Sequence, residues 1–425
     1  MMSETEIDEE SSESSDSSEP EPPSAIVIGD DVPQLFPIRC GNPYHPYPFV
    51  GKVAACPQLG VVVTTSFDTL QVYAIPRPGS SWGGAPLIRF ALLHHLSLSV
   101  SDDRTFAMRK HQPGAICTGS AFSFSGPVSS GYMAFSMHRA TGPVLCVSDT
   151  RNSTVHEIEV MAGEHLGCVL ETPAALPVWV TGVAAHSRIA PGTAGDFMLA
   201  VATQGPREPP YIFLFTWMER GSAWVHTRSL YGGHEAGVLR RPCGLRFSAC
   251  GTHVFVADQE RETLFDLDVH TGQLRNRWIL EDGGPFTDVE VLPGDVIVAT
   301  IPESSRVVTV TLPLPEAVVG DSPFAGPKQL LCRDICGNRF EMAKTLSWPA
   351  SVASIPGLGF LIGDGGFLYG HLVLCSTLAG LAQYSMSPER VAWMAVVVKG
   401  GCPRKSSPSG LVGIPGNQRK RQRNL

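Results

Sequence analysis

Residues 242–280 read PCGLRFSACGTHVFVADQERETLFDLDVHTGQLRNRWIL. Gly244 to Ser248 is a short apolar run, Gly251-Thr252 marks a turn, and His253 to Ala257 is β-branched and aromatic. Asp258 to Thr263 is polar, Leu264 to Val269 alternates at a period of two, His270-Thr271-Gly272 is a turn, and Gln273 to Leu280 reads as a further strand. Alternation sends one face of each strand into a core, and the Gly-containing junctions let the chain reverse. Four strands and three reversals in about forty residues form an antiparallel meander, which is a propeller blade provided it recurs.

The pattern recurs. Residues 144–160 (VLCVSDTRNSTVHEIEV) follow residues 254–269 (VFVADQERETLFDLDV): an apolar strand closed by Asp, five polar residues, then a strand of apolar and acidic residues. The next apolar residue stands six after the Asp in both, at Val155 and Leu264. Looser copies lie at 60–75, 197–216, 295–312 and 359–374. The first strands of these units close at Thr65, Asp149, Thr203, Asp258, Thr300 and Asp364, a spacing of about 60 residues that predicts six blades with long loops. The widest gap, from Thr65 to Asp149, leaves room for a seventh unit around Pro86 to Lys110.

The run P-x-G-L-x-F-S-x-x-G-x-x-V-F-V-A-D from Pro242 to Asp258 resembles the NHL repeat, with its Pro-Gly strand start, turn Gly and V-A-D strand end. Where that repeat often has Asn-x-Arg, this chain has Glu260, Arg261, Glu262 and Thr263. The fourth unit carries the motif, the second carries part of it (CVSDTRN), and the others keep only the rhythm. The resemblance implies an all-β, six-bladed β-propeller. It leaves function open, because NHL-like propellers include protein-binding, RNA-binding and enzymatic members.

Composition agrees with such a scaffold. Of 425 residues 43% are hydrophobic and 17% charged, enough apolar surface for a large core, and 43 glycines with 35 prolines favour short elements and tight turns over long helices. Charge is concentrated at the ends. Residues 1–31 hold eleven acids and no Lys or Arg, whereas residues 399–425 hold seven bases and no acid. The body keeps 29 acids against 25 bases, which offers no long-range field to steer a nucleic acid. Residues 1–24, acidic and Ser-rich, and residues 402–425, basic with Pro and Gly, are expected to be disordered tails flanking a propeller over 25–401.

The acidic start lacks the basic and apolar segments of a secretory signal, and no run reaches the length of a membrane helix, so the expected location is cytoplasmic. Eleven cysteines, an odd number without finger spacing, read as intracellular thiols; Cys332-x3-Cys336 offers half a zinc site with no nearby partner to complete it. The thirteen histidines form no local metal motif and read mostly as surface or loop residues. Asp149, Asp258 and Asp364 each close an equivalent strand, and a short carboxylate there accepts hydrogen bonds from the turn that follows. The rival reading makes them ligands of a calcium or zinc ion at the channel, as in six-bladed metal-dependent hydrolases. Arg419, Lys420, Arg421 and Arg423 fit a nuclear import signal or a contact for an acidic partner.

These readings predict a non-catalytic protein-interaction module or scaffold without cofactor, nucleic acid or membrane. Its partner would bind a propeller face or channel mouth. The alternative is a metal-dependent hydrolase or lyase with a divalent cation in the central channel.

Overall fold

The computed structural model describes residues 34–40 and 51–376, except 67, 77–88, 103–104, 114–119, 123–130, 151, 170–178, 188–196, 206–208, 231–238, 281–283, 293–295, 312–327, 331, 337–345, 347, 357 and 366–370. The tails expected to be disordered lie outside these residues.

The strands are, in chain order, β1 (Gln34–Cys40), β2 (Val53–Cys56), β3 (Val61–Ser66), β4 (Thr69–Ala74), β5 (Arg89–Val100), β6 (Phe106–His111), β7 (Met133–Arg139), β8 (Gly142–Asp149), β9 (Thr154–Glu159) and β10 (Glu164–Cys168). There follow β11 (Trp179–Ser187), β12 (Phe197–Gln204), β13 (Tyr211–Met218), β14 (Ala223–Leu230), β15 (Pro242–Phe247), β16 (His253–Asp258), β17 (Thr263–Asp268) and β18 (Leu274–Leu280). The last are β19 (Asp288–Leu292), β20 (Val296–Ile301), β21 (Arg306–Thr311), β22 (Lys328–Leu330), β23 (Cys332–Cys336), β24 (Pro349–Ile355), β25 (Gly359–Asp364) and β26 (His371–Ser376). Among the described residues the only helical pieces are two 3-10 turns, Glu219–Gly221 and Pro302–Ser304.

These strands build six antiparallel blades: β2 to β5, β7 to β10, β11 to β14, β15 to β18, β19-β20-β21-β23, and β24-β25-β26-β1. The first strands of the blades touch in cyclic order, β2 to β7, β11, β15, β19, β24 and back to β2, so the ring closes with these strands innermost. The result is an all-β, six-bladed β-propeller. The span 86–110 is no seventh blade. Its strands β5 and β6 are the fourth and fifth of blade one, where β5 runs for 12 residues, long enough to pair with β4 inside and β6 outside. Blade four likewise gains β22, parallel to β18.

Apolar residues on facing blade surfaces form the core between blades. Leu70, Leu96, Leu98, Val147, Ile158 and Val160 fill one such interface, between blades one and two. Blade three packs on blade four through Leu214, Leu245, Val254 and Phe265.

Closure uses the start of the chain. β1 lies antiparallel to β26 as the outer strand of blade six, with Phe36 opposite Leu374, and touches β5 of blade one in parallel at Arg39 and Cys40. The sequence also offers two β-prone runs for this role, Ala25 to Ile28 just after the acidic head and Val391 to Lys399 near the other end, and both lie outside the described residues.

Candidate functional site

All six strand ends picked out by the repeat fall on second strands, β3, β8, β12, β16, β20 and β25, at the last or last-but-one residue, and each is at most 1% exposed. Their polar atoms work locally. Asp258 accepts N–H bonds from Arg240 at 2.6 Å and from Arg241 and Arg261 at 3.0 Å, tying the approach to β15 to the turn after β16. Burial lifts the Asp258 pKa above the usual value, opposed by those three donors. Asp364 accepts from the backbone N–H of Trp348, just before β24. Thr65 accepts from Lys52 N–H at 2.7 Å, just before β2. Asp149 accepts from the Asn152 backbone N–H at 3.2 Å and its side-chain amide at 2.6 Å. The turns after Asp149 and Asp258 match: Ser153 and Glu262 both have φ of 53°, an uncommon left-handed conformation that recurs because the turn recurs. The structure therefore places the three carboxylates in blades two, four and six, each bonded within its own blade.

The ring centre carries a second group. Lys52, from blade one, donates to the Ala350 carbonyl of blade six at 2.6 Å, and its ammonium lies 3.8 Å over the Tyr132 ring of blade two. Burial lowers the Lys52 pKa to about 8, with the Asp288 carboxylate opposing that shift. Tyr132 itself donates across the ring to the carbonyl of Thr287 in blade five. Asp288 accepts from the Ser351 hydroxyl at 2.7 Å, from Val352 N–H at 3.1 Å and from its neighbour Val289 at 3.0 Å. Cys243, buried among these groups, has its thiol pushed up to about 11. Two glycines let the inner strands approach: a Cβ on Gly182 would fall 1.9 Å from the Cys243 carbonyl oxygen, and one on Gly244 would fall 2.5 Å from the Asp288 Cα.

A third group lies toward the outer edge of blade two. His156 Nε2 is 3.1 Å from Asp149 Oδ2, and His156 Nδ1 is 3.1 Å from His165 Nε2. Cys168 Sγ lies 3.6 Å from His156 Nδ1 and 3.9 Å from His165 Nε2. Phe106 and Phe122 cover His156 edge-on at ring distances of 4.9 and 5.5 Å. Burial, with His156 close by, lowers the His165 pKa to about 4, so its imidazole is neutral at physiological pH. Along the same strand Glu157 takes the opposite face: Trp224 of blade three donates to it at 2.8 Å and Arg139 contacts it at 3.0 Å.

Among the described residues, four of the chain's thirteen histidines are exceptions to the surface or loop reading. His94, His95, His138 and His156 are all buried. Sequence spacing concealed the blade-two group because residues 165 and 168, three apart on a strand, should face opposite ways. A bulge between His165 and Gly167 adds one residue to β10 and restores them to a common face, with Cys168 opposite His156 and His165 opposite Ile158. Gly167, at φ 149°, marks the bulge and was the available signal.

No family model matches the chain, and no curated protein matches it. Among solved structures it is similar to a luciferin-regenerating enzyme, at 9% identity over 81% of this chain and 95% of that one, TM-score 0.46. It is also similar to the Cps50 (Swd1) β-propeller domain of Myceliophteria thermophila, at 14% identity over 77% and 86%, TM-score 0.40. A protein of unknown function from Bacteroides caccae is similar at 14% identity over 64% and 83%, TM-score 0.39. The six blades here stand on their own strand pairing and closed ring. No helix among the described residues is long and apolar enough to cross a membrane.

Proposed function

We propose that this propeller is a non-catalytic protein-interaction module, with an NHL-like repeat as its fourth blade and a protein partner on one face or at a channel mouth. The observation that carries this reading is the crossed ring centre. Tyr132 spans from blade two to blade five, and Lys52 lies over its ring. The polar groups there are engaged with one another, and a lysine cation stands near Asp288 where a channel metal would otherwise supply positive charge. That leaves faces and rim as the binding surface, where loops on a rigid scaffold usually carry recognition. The location that goes with this reading is cytoplasmic, with the basic cluster at Arg419, Lys420, Arg421 and Arg423 serving nuclear import or an acidic partner.

Cross-linking mass spectrometry on the full chain, isolated with any protein that co-purifies at equal stoichiometry, tests the proposal. Links from one partner should cluster on loops of a single face or on the rim. Turnover of an ester or lactone that Lys52→Met or Asp288→Asn abolishes, in chain that elutes alone, would overturn it in favour of a hydrolase or lyase working in the channel.

A further inference from the structure

Blade two brings together the one group, among the described residues, in which three metal-capable side chains offer ligand atoms within 4.8 Å of one another: His156, His165 and Cys168. We infer that these three bind a zinc-class divalent ion through His156 Nδ1, His165 Nε2 and Cys168 Sγ, with Asp149 orienting His156 from behind.

The spacing fits that ion. Zinc bonds of about 2.0–2.1 Å to nitrogen and 2.3 Å to sulfur, arranged tetrahedrally, set N···N near 3.3 Å and N···S near 3.6 Å. The observed separations are 3.1, 3.6 and 3.9 Å. Nitrogen and sulfur donors select zinc or another borderline-to-soft transition metal over calcium or magnesium, which prefer oxygen.

The surroundings fit as well. A ligating histidine commonly donates its other N–H to a carboxylate, which fixes its tautomer and raises its basicity, and Asp149 Oδ2 stands 3.1 Å from His156 Nε2. A Cys168 thiolate and the Asp149 carboxylate together match the charge of a divalent ion, which a part-buried site needs. Phe106 and Phe122 wall the site on the blade-one side. Three protein ligands leave a fourth position for water or an incoming donor, the pattern of zinc sites that are not closed by protein. The bulge at Gly167 is what aligns the donors, since it costs β10 its regular register and turns Cys168 to the face of His165.

A metal-free arrangement is also chemically coherent: His156 donates from Nε2 to Asp149 and accepts at Nδ1 a proton carried by His165 Nε2. The experiment separates the two. Full-length chain stripped with a chelator is titrated with cobalt(II), a spectroscopic substitute for zinc, and then with zinc itself. One equivalent of cobalt should bind with a sulfur-to-metal charge-transfer band and the intense visible bands of four-coordination, and zinc should displace it. Cys168→Ser should remove the sulfur band, His165→Ala should abolish stoichiometric binding, and Asp149→Asn should weaken affinity roughly 10–100-fold. The double variant Cys332→Ser/Cys336→Ser should titrate like wild type. Chelator-treated variants must keep the wild-type thermal midpoint to count, and His165 and Cys168, both only part-buried, are the positions where substitution is best tolerated. A sulfur band that survives Cys168→Ser, or failure of wild type to bind either metal, would overturn the inference.

Discussion

Asp258 and Asp149 occupy the same corner of two blades but face different demands. Asp258 holds three backbone N–H groups, so Asp258→Ala should cost about 1–3 kcal/mol through unsatisfied buried donors. The urea midpoint that measures this should be the same with and without chelator. Lys52 makes a prediction of opposite sign with pH. Its folded pKa is about 8 against 10.5 for the free side chain, so the unfolded chain holds the proton more tightly. Below pH 8 its burial withholds stability, and that stability returns as pH rises toward 10.5, in total on the order of 3 kcal/mol. Wild type should therefore gain stability relative to Lys52→Met between pH 7.5 and 10; parallel curves for the two proteins would refute a depressed lysine. At this scale the sequence displayed the six strand ends, because a short polar residue closing an apolar run is a local pattern. Lys52 was invisible, since its neighbours come from blades two, four, five and six and nothing near it in the chain announces them.

The strands of blade four were legible almost to the residue, as alternation and turn glycines coincide there. Blade one left the count open to a seventh unit for a physical reason. A long fourth strand followed by a fifth has the same alternation as the start of a new meander, and periodicity cannot tell an added strand from an added blade. The bulge in β10 shows the complementary failure, for one inserted residue reverses every facing assignment beyond it. Gly167→Ala should therefore act on the element and the site together. The φ of 149° disfavours any side chain, although the nearest atom to an added Cβ is Glu157 Oε2 at 4.0 Å, so the penalty is conformational and not a clash. A loss of about 1 kcal/mol or more in urea unfolding is expected, together with a weaker cobalt titration. Unchanged stability and unchanged titration would mean that the bulge does not depend on glycine.

For the whole molecule the decisive contact is the pairing of β1 with β26. It escaped sequence reading because QLFPIRC carries no alternation and holds Pro37, a residue confined to edge positions in sheets. Deleting residues 1–40 should open the outer edge of blade six and release its link to blade one, lowering the thermal midpoint by more than about 5 °C and promoting association through the bare edge of β26. Deleting residues 1–24 should leave the midpoint nearly where it was, and equal behaviour of the two truncations would show that β1 closes nothing.

The same pairing sets a timetable for the ribosome. β1 is made early, yet its partner begins at His371, after more than three hundred further residues have been added. At about 5–20 residues per second, Gln34 to Ile38 wait on the order of 15–70 s for their β26 partners, through the assembly of every other blade, with only Arg39 and Cys40 able to pair earlier, on β5. A nascent chain stalled before residue 371 should thus bind holdase chaperones through its first forty residues, and one released after residue 376 should not.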